Sequence, residues 1–234
     1  MVTPRIRLWA AGAFVFLVAL FMTEGLWAHG VSNRDAAFVR SVTGAMLGPF
    51  MYLGAKHMVT GYDHLLFLVG VIFYLSRTKD VVTYVSLFTL GHSITLLIGV
   101  LANVPANAYV IDAIIGLSVV YKGFENIGGF ERVIGYRPDA RAAVLVFGLF
   151  HGLGLATKLQ ELALPPQGLL ENLVAFNVGV EMGQGLALMG VLVAFMYWRA
   201  RPAFLRYAFA TNTLLMAGGF ALLGYQLVGY LVTR

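Results

Sequence analysis

The chemistry this sequence can do rests on five histidines: His29, His57, His64, His92 and His151. All but His29 lie inside or at the edge of apolar stretches long enough to cross a bilayer, and Asp63, Glu125 and Glu181 share those stretches. An ionisable group at the bilayer centre costs about 3 to 15 kcal/mol, depending on how far water and lipid adjust. Groups kept at that cost serve ion pathways, proton relays, metal sites or cofactors. Imidazole and carboxylate together suit nickel, cobalt, zinc and copper. There is no cysteine, which excludes disulfides, thiolate ligands and a cysteine nucleophile.

The elements that position these groups follow from composition. Of 234 residues, 59% are hydrophobic and 12% charged, against about a quarter charged in soluble domains. The apolar runs are continuous rather than alternating, so the fold class is all-α, a polytopic membrane helical bundle, and not a β-barrel. The net charge of +5 is spread over short loops and reads as a topology signal rather than a nucleic-acid surface. No Gly-x4-Gly-Lys-Ser/Thr segment for ATP is present.

Residues 1–28 read as a signal peptide, with Arg5 and Arg7 before the apolar run Leu8 to Met22 and a cleavage site after Ala28; uncleaved, they form a seventh helix. Residues 29–234 then make one membrane domain of six spans, near 58–77, 81–104, 108–128, 141–158, 169–198 and 205–232. Basic residues alternate between the loops. Arg77 and Lys79, then Arg132, Arg137 and Arg141, then Arg199 and Arg201 place three loops in the cytoplasm. Residue 29 and the C-terminus fall on the other side, in agreement with a signal sequence. Cleavage after Ala28 would free an amine on His29, and amine plus imidazole is a metal chelate, a further candidate ligand.

Helical rise puts His92, His151 and Glu181 roughly 15–18 Å into their spans, near the midplane of a core about 30 Å thick. Asn177, Glu181 and Gln184 are spaced i, i+4, i+7, and so are Ser118, Lys122 and Glu125; each set forms a polar stripe expected to face the interior. Glu125 also sits where it can pair with Lys122 on its own helix. His57 and His64 share a face but lie about 10.5 Å apart along a straight helix. Either Gly61 breaks the helix and brings them together, or they are successive stations on an entry path. Asp63 is either a ligand or the group that orients a ligating imidazole.

The stretch His57-Met-Val-Thr-Gly61-Tyr-Asp63-His64 resembles the opening motif His-Pro-x-x-Gly-x-Asp-His of the HupE/UreJ family of nickel and cobalt permeases. Phe88-Thr-Leu-Gly-His-Ser-Ile-Thr-Leu96, Phe124-Glu-Asn126, Phe147-Gly-Leu-Phe-His-Gly-Leu-Gly154 and Phe176-Asn-Val-Gly-Val-Glu181 are similar to that family's helix cores, in order along the chain. The resemblance implies a six-helix permease of the bacterial inner membrane. By motif match it gives His57, Asp63 and His64 metal-handling roles. Met58 stands where the family has proline, and a later histidine-rich motif is reduced to His151-Gly152, so the chain resembles a divergent branch.

The metal candidates are therefore His57, Asp63, His64, His92, His151 and Glu181, with Glu125, Asn126, Asn177 and Gln184 along the path or behind the ligands. The expected ion is nickel or cobalt, with zinc or copper as alternatives, and the expected partners are membrane lipid and the ion. A homo-oligomer or a place in a larger membrane complex stays open. The competing reading is an intramembrane zinc hydrolase built on the same cluster, and a weaker one is bis-histidine haem on His92 and His151.

Overall fold

Backbone surrounded by hydrocarbon must satisfy its polar groups internally, so long apolar runs become helices. A computed structural model describes residues 33–162 and 166–233. The expected signal segment 1–28 and His29 lie outside the described residues. Among the described residues there are nine helices and no strand: α1 (Asn33–Ser41), α2 (Leu47–Thr60), α3 (Tyr62–Ile72), α4 (Thr78–Leu101), α5 (Ala108–Asn126), α6 (Gly129–Ile134), α7 (Ala140–Glu161), α8 (Leu169–Arg199) and α9 (Ala203–Val232). Helices α4, α7, α8 and α9 are long and apolar enough to cross a membrane. Helix α5 has 19 residues and buries Asp112, Lys122 and Glu125. The start of α7 is fixed by Asp139, which accepts from the N–H groups of Ala142 and Arg141 at 2.9 and 2.8 Å. Those two bonds hold its carboxyl below the usual range.

Five of the expected spans match α4, α5, α7, α8 and α9 to within a few residues. The first does not. In place of one helix over 58–77, the chain makes two, α2 and α3, separated at Gly61. Gly61 is extended (φ −72°, ψ 105°), and a Cβ there would stand 2.9 Å from His64 Nδ1 and 3.1 Å from the His57 carbonyl. Residues 47–57, expected outside the membrane, belong to α2 and pack against α8. Their many small and apolar residues (Gly48, Leu53, Gly54, Ala55) are the sequence reason.

Helices α2 and α8 run in the same direction. The Met46 N–H donates to Asn172 Oδ1 at 2.7 Å, Gly54 lies on the Phe176 and Val180 backbone, Gly179 lies on Met51, and Gly183 lies on Ala55. Helix α3 continues to the far end of α8, where the Arg199 guanidinium donates to the carbonyls of Ile72, Phe73 (2.7 Å) and Leu75 (2.7 Å). From the other side, Asn126 Nδ2 donates to the Gly70 carbonyl at 2.8 Å and to Asn212 Oδ1 at 2.8 Å. The orphan carbonyls that end a helix are thus satisfied by side chains of α8 and α5.

Three close helix pairs make the bundle: α2 with α8, α4 with α7, and α5 with α9. Each is seamed by glycine. A Cβ on Gly91 of α4 would meet Leu145 of α7, and one on Gly116 of α5 would meet Leu223 of α9. Lipid supplies no hydrophobic drive for helix association, so close backbone packing of small residues is what holds such pairs. Helices α4 and α8 are joined by polar side chains, Thr89 Oγ1 to Gln184 Oε1 (2.8 Å) and Ser93 Oγ to Asn177 Oδ1 (3.2 Å).

Candidate metal centre

The break at Gly61 builds the site. It turns the end of α2 so that the His57 and His64 rings lie 5.1 Å apart, centre to centre, where a straight helix would hold them about 10 Å apart. The His64 ring also lies 4.9 Å from His151 on α7 and 6.0 Å from His92 on α4. Imidazoles from three other helices thus neighbour the His64 ring. His64, His92, His151 and Asp63 are at most 2% exposed, and His57 is half-buried.

Two of the rings have their tautomers set. Asp63 Oδ1 lies 3.0 Å from His64 Nδ1, so the carboxylate holds the Nδ1 proton and leaves the lone pair on Nε2. His151 Nδ1 donates to the Phe147 carbonyl at 2.7 Å, again leaving the lone pair on Nε2. This is the arrangement found behind metal-ligating histidines, where a carboxylate or carbonyl fixes the ring and raises its basicity. Both ring nitrogens of His92 are buried with no hydrogen-bond partner, an expensive state for an imidazole unless something else binds it.

Asp63, His64 and His151 each offer a donor atom, and the three lie within 4.8 Å of one another. Bonds of about 2.1 Å around a tetrahedral ion would draw such atoms to about 3.4 Å. Closing that difference would take side-chain shifts of about 1 Å. The donor set is nitrogen and oxygen, borderline in softness, and suits nickel, cobalt and zinc.

Among the remaining candidates, the second polar stripe faces inward as expected. Ser118 is fully buried, and Lys122 pairs with Glu125 at 2.7 Å inside the bundle. That pair is at the Gly70 end of α3, six residues or about 9 Å from His64, and Asn126 beside it holds α3 rather than the cluster. The first stripe divides. Asn177 and Gln184 turn toward α4, but Glu181 is exposed on the surface of α8. The expected convergence of Glu181 with His92 and His151 is therefore not what the structure shows. The inward face of α8 at that level is taken by Gly179, Val180 and Gly183 against α2, which leaves no inward place for a glutamate.

Sequence reasoning also passed over three features. Asp112 of α5 pairs with Lys158 of α7 at 2.9 Å, both mostly buried. Its signal was plain: a carboxylate inside an apolar stretch. Arg199 was read as a topology charge alone, yet it holds the end of α3. The aromatic floor of the cluster was not anticipated. Phe88 packs 4.9 Å from the His151 ring and Phe67 5.4 Å from it.

No curated protein and no solved structure matches the chain. A family model described as HupE / UreJ protein matches residues 33–234, which contain every residue of the cluster. The match covers most of the chain and its site, so this protein belongs to the HupE/UreJ family, a membership that carries a metal-transport-related function in a membrane.

Proposed function

We propose that this protein is an integral permease of the bacterial inner membrane that carries a divalent transition-metal ion, nickel or cobalt in the first instance, and is not an enzyme. The observation that carries the reading is the meeting of buried Asp63, His64, His92 and His151 with half-buried His57 at a broken helix. Irregular backbone at membrane depth is tolerated where it lines a site or cavity, and broken helices are the usual builders of transporter sites.

Six spans cross the membrane in this reading: α2 with α3 as one broken span, then α4, α5, α7, α8 and α9. The positive-inside rule puts the Arg77, Arg137 and Arg199 end in the cytoplasm. His57, half-buried on the opposite side of the break, receives the ion. Asp63, His64 and His151 hold it, with His92 completing the set. Coordination by neutral imidazoles and one carboxylate is exchangeable, as a carrier needs. Metal and protons compete for the imidazole lone pairs, which offers a route to coupling uptake with protons.

Uptake of radiolabelled nickel or cobalt into proteoliposomes tests this. The parent carries the ion; His64→Ala and His151→Ala, confirmed folded by circular dichroism, do not. Unchanged uptake in both variants would end the proposal. Tightly retained zinc together with hydrolytic activity would move the reading to an intramembrane hydrolase.

A further inference from the structure

Three layers of side chains are stacked along α3, α4 and α7. His64, His92 and His151 form the first. One turn away on the same helix faces are Phe67 (three residues after His64), Phe88 (four before His92) and Phe147 (four before His151). Their rings touch: Phe67 lies 5.3 Å from Phe88 and 5.8 Å from Phe147. Two turns away are Val71 (seven after His64), Val85 (seven before His92) and Val144 (seven before His151). Seven residues return to the same face about 10.5 Å along the axis. Helix α3 runs opposite to α4 and α7, so all three valines fall on one side of the histidines, toward the end where α3 stops and α4 and α7 begin.

A narrow cavity joins these layers. Its walls are mostly apolar, with Phe67, Phe88, Val71, Val85 and Val144, and carry His64, Tyr84 and Gln184 as their polar members; its volume is about 10 Å³, about that of a single water molecule. Val144 and Phe67 are 1% and 3% exposed. An ion leaving the histidines in this direction would meet two successive, mostly apolar layers and no room for its hydration shell. Apolar constrictions of this kind close a path by excluding water.

We propose that the phenylalanine and valine layers are the closed inner gate of the permeation path, and that the ion leaves between α3, α4 and α7 rather than along α5 past Glu125. This rests on the permease reading above. The Lys122–Glu125 pair, already bonded at 2.7 Å and lying against α3 at Gly70, to one side of the face that carries His64, Phe67 and Val71, stabilises the bundle instead of conducting.

The test is Co²⁺ flux into proteoliposomes containing a metal-quenched dye, with equilibrium Co²⁺ binding followed by visible absorption in the same preparations. Val144→Thr keeps the side chain's volume and adds a hydroxyl that wets the constriction, so flux rises several-fold with binding unchanged. Val85→Phe fills the path, so flux is lost while Co²⁺ still binds. Either variant carrying Co²⁺ at the parent rate overturns the gate and leaves the histidine site standing. A parent protein that neither binds nor carries Co²⁺ overturns the permease reading itself, and the gate with it.

Discussion

Adding one methyl group at Gly91 should damage the metal centre without touching a ligand. Gly91 precedes His92 on α4 and faces α7. A Cβ there would stand 2.5 Å from the Leu145 carbonyl oxygen and 2.9 Å from the Leu149 nitrogen, against 3.4 Å or more for ordinary contact. These are backbone atoms of a helix, so no side chain can swing away. The two helices must part by about 0.9 Å at this level, and His92 and His151 move apart with them. Overpacking of this kind costs about 1–3 kcal/mol, and sites lose function when their geometry loosens by about 0.5 Å. Disturbing the groups that orient ligands lowers metal affinity by about 10- to 100-fold. Gly91→Ala should therefore weaken Co²⁺ or Ni²⁺ binding by that factor and lower the melting temperature. Gly185→Ala and Gly190→Ala are the controls, since a Cβ at either position meets nothing within 4 Å. Alanine is the better helix former by about 0.5–1 kcal/mol, so these two should bind normally and melt no lower than the parent. Titration of detergent-purified protein by absorption or calorimetry reads the affinity. Gly91→Ala binding metal as tightly as the controls would refute the idea that the α4–α7 seam sets the site.

Further outcomes follow from the same geometry. Asp63→Asn keeps the side chain's size but removes the charge that holds the His64 Nδ1 proton; metal affinity should fall about 10- to 100-fold in equilibrium titrations, and an unchanged affinity would show that Asp63 neither orients nor ligates. Arg199→Ala takes the side-chain donor from the Phe73 and Leu75 carbonyls and leaves that of Ile72 only the Leu75 N–H, at about 1–3 kcal/mol for each buried group left unsatisfied. It should lower thermal stability markedly, and Arg199→Lys, with no fork of donors, should recover only part of that. Glu181→Gln should leave Co²⁺ affinity at the parent value, because Glu181 is exposed on α8; a large loss would restore it to the site.

Much of this arrangement was legible in the sequence, and the rest failed for identifiable reasons. Five long helices could be placed because a continuous apolar run of about 20 residues has one stable form in lipid. The first span was misplaced because α2 and α3 are too short to register as spans, and because apolar periodicity does not reveal a break. Gly61 and the awkward seven-residue spacing of His57 and His64 raised the alternative, and the extended backbone at Gly61 decides it. Helical rise puts His92 and His151 at one depth and His64 somewhat outward of them, and the fold brings the His64 ring to both. Glu181 had the right depth and the wrong azimuth. Which face of α8 turns inward is set by where α2 packs, and no residue on α8 announces that. The valine and phenylalanine layers were spelled out at intervals of three, four and seven from the histidines, but they acquire meaning only once the opposite directions of α3 and the α4–α7 pair are known.

The most direct test of the account is metal stoichiometry. Purified protein, loaded with Ni²⁺ or Co²⁺ and freed of excess ion, would be measured by elemental analysis beside His64→Ala and His151→Ala. The expected result is one ion per chain in the parent, readily removed by a mild chelator, and none in either variant. Full occupancy in both variants, or none in the parent under any loading, would contradict the claim that these buried histidines bind the ion the protein carries.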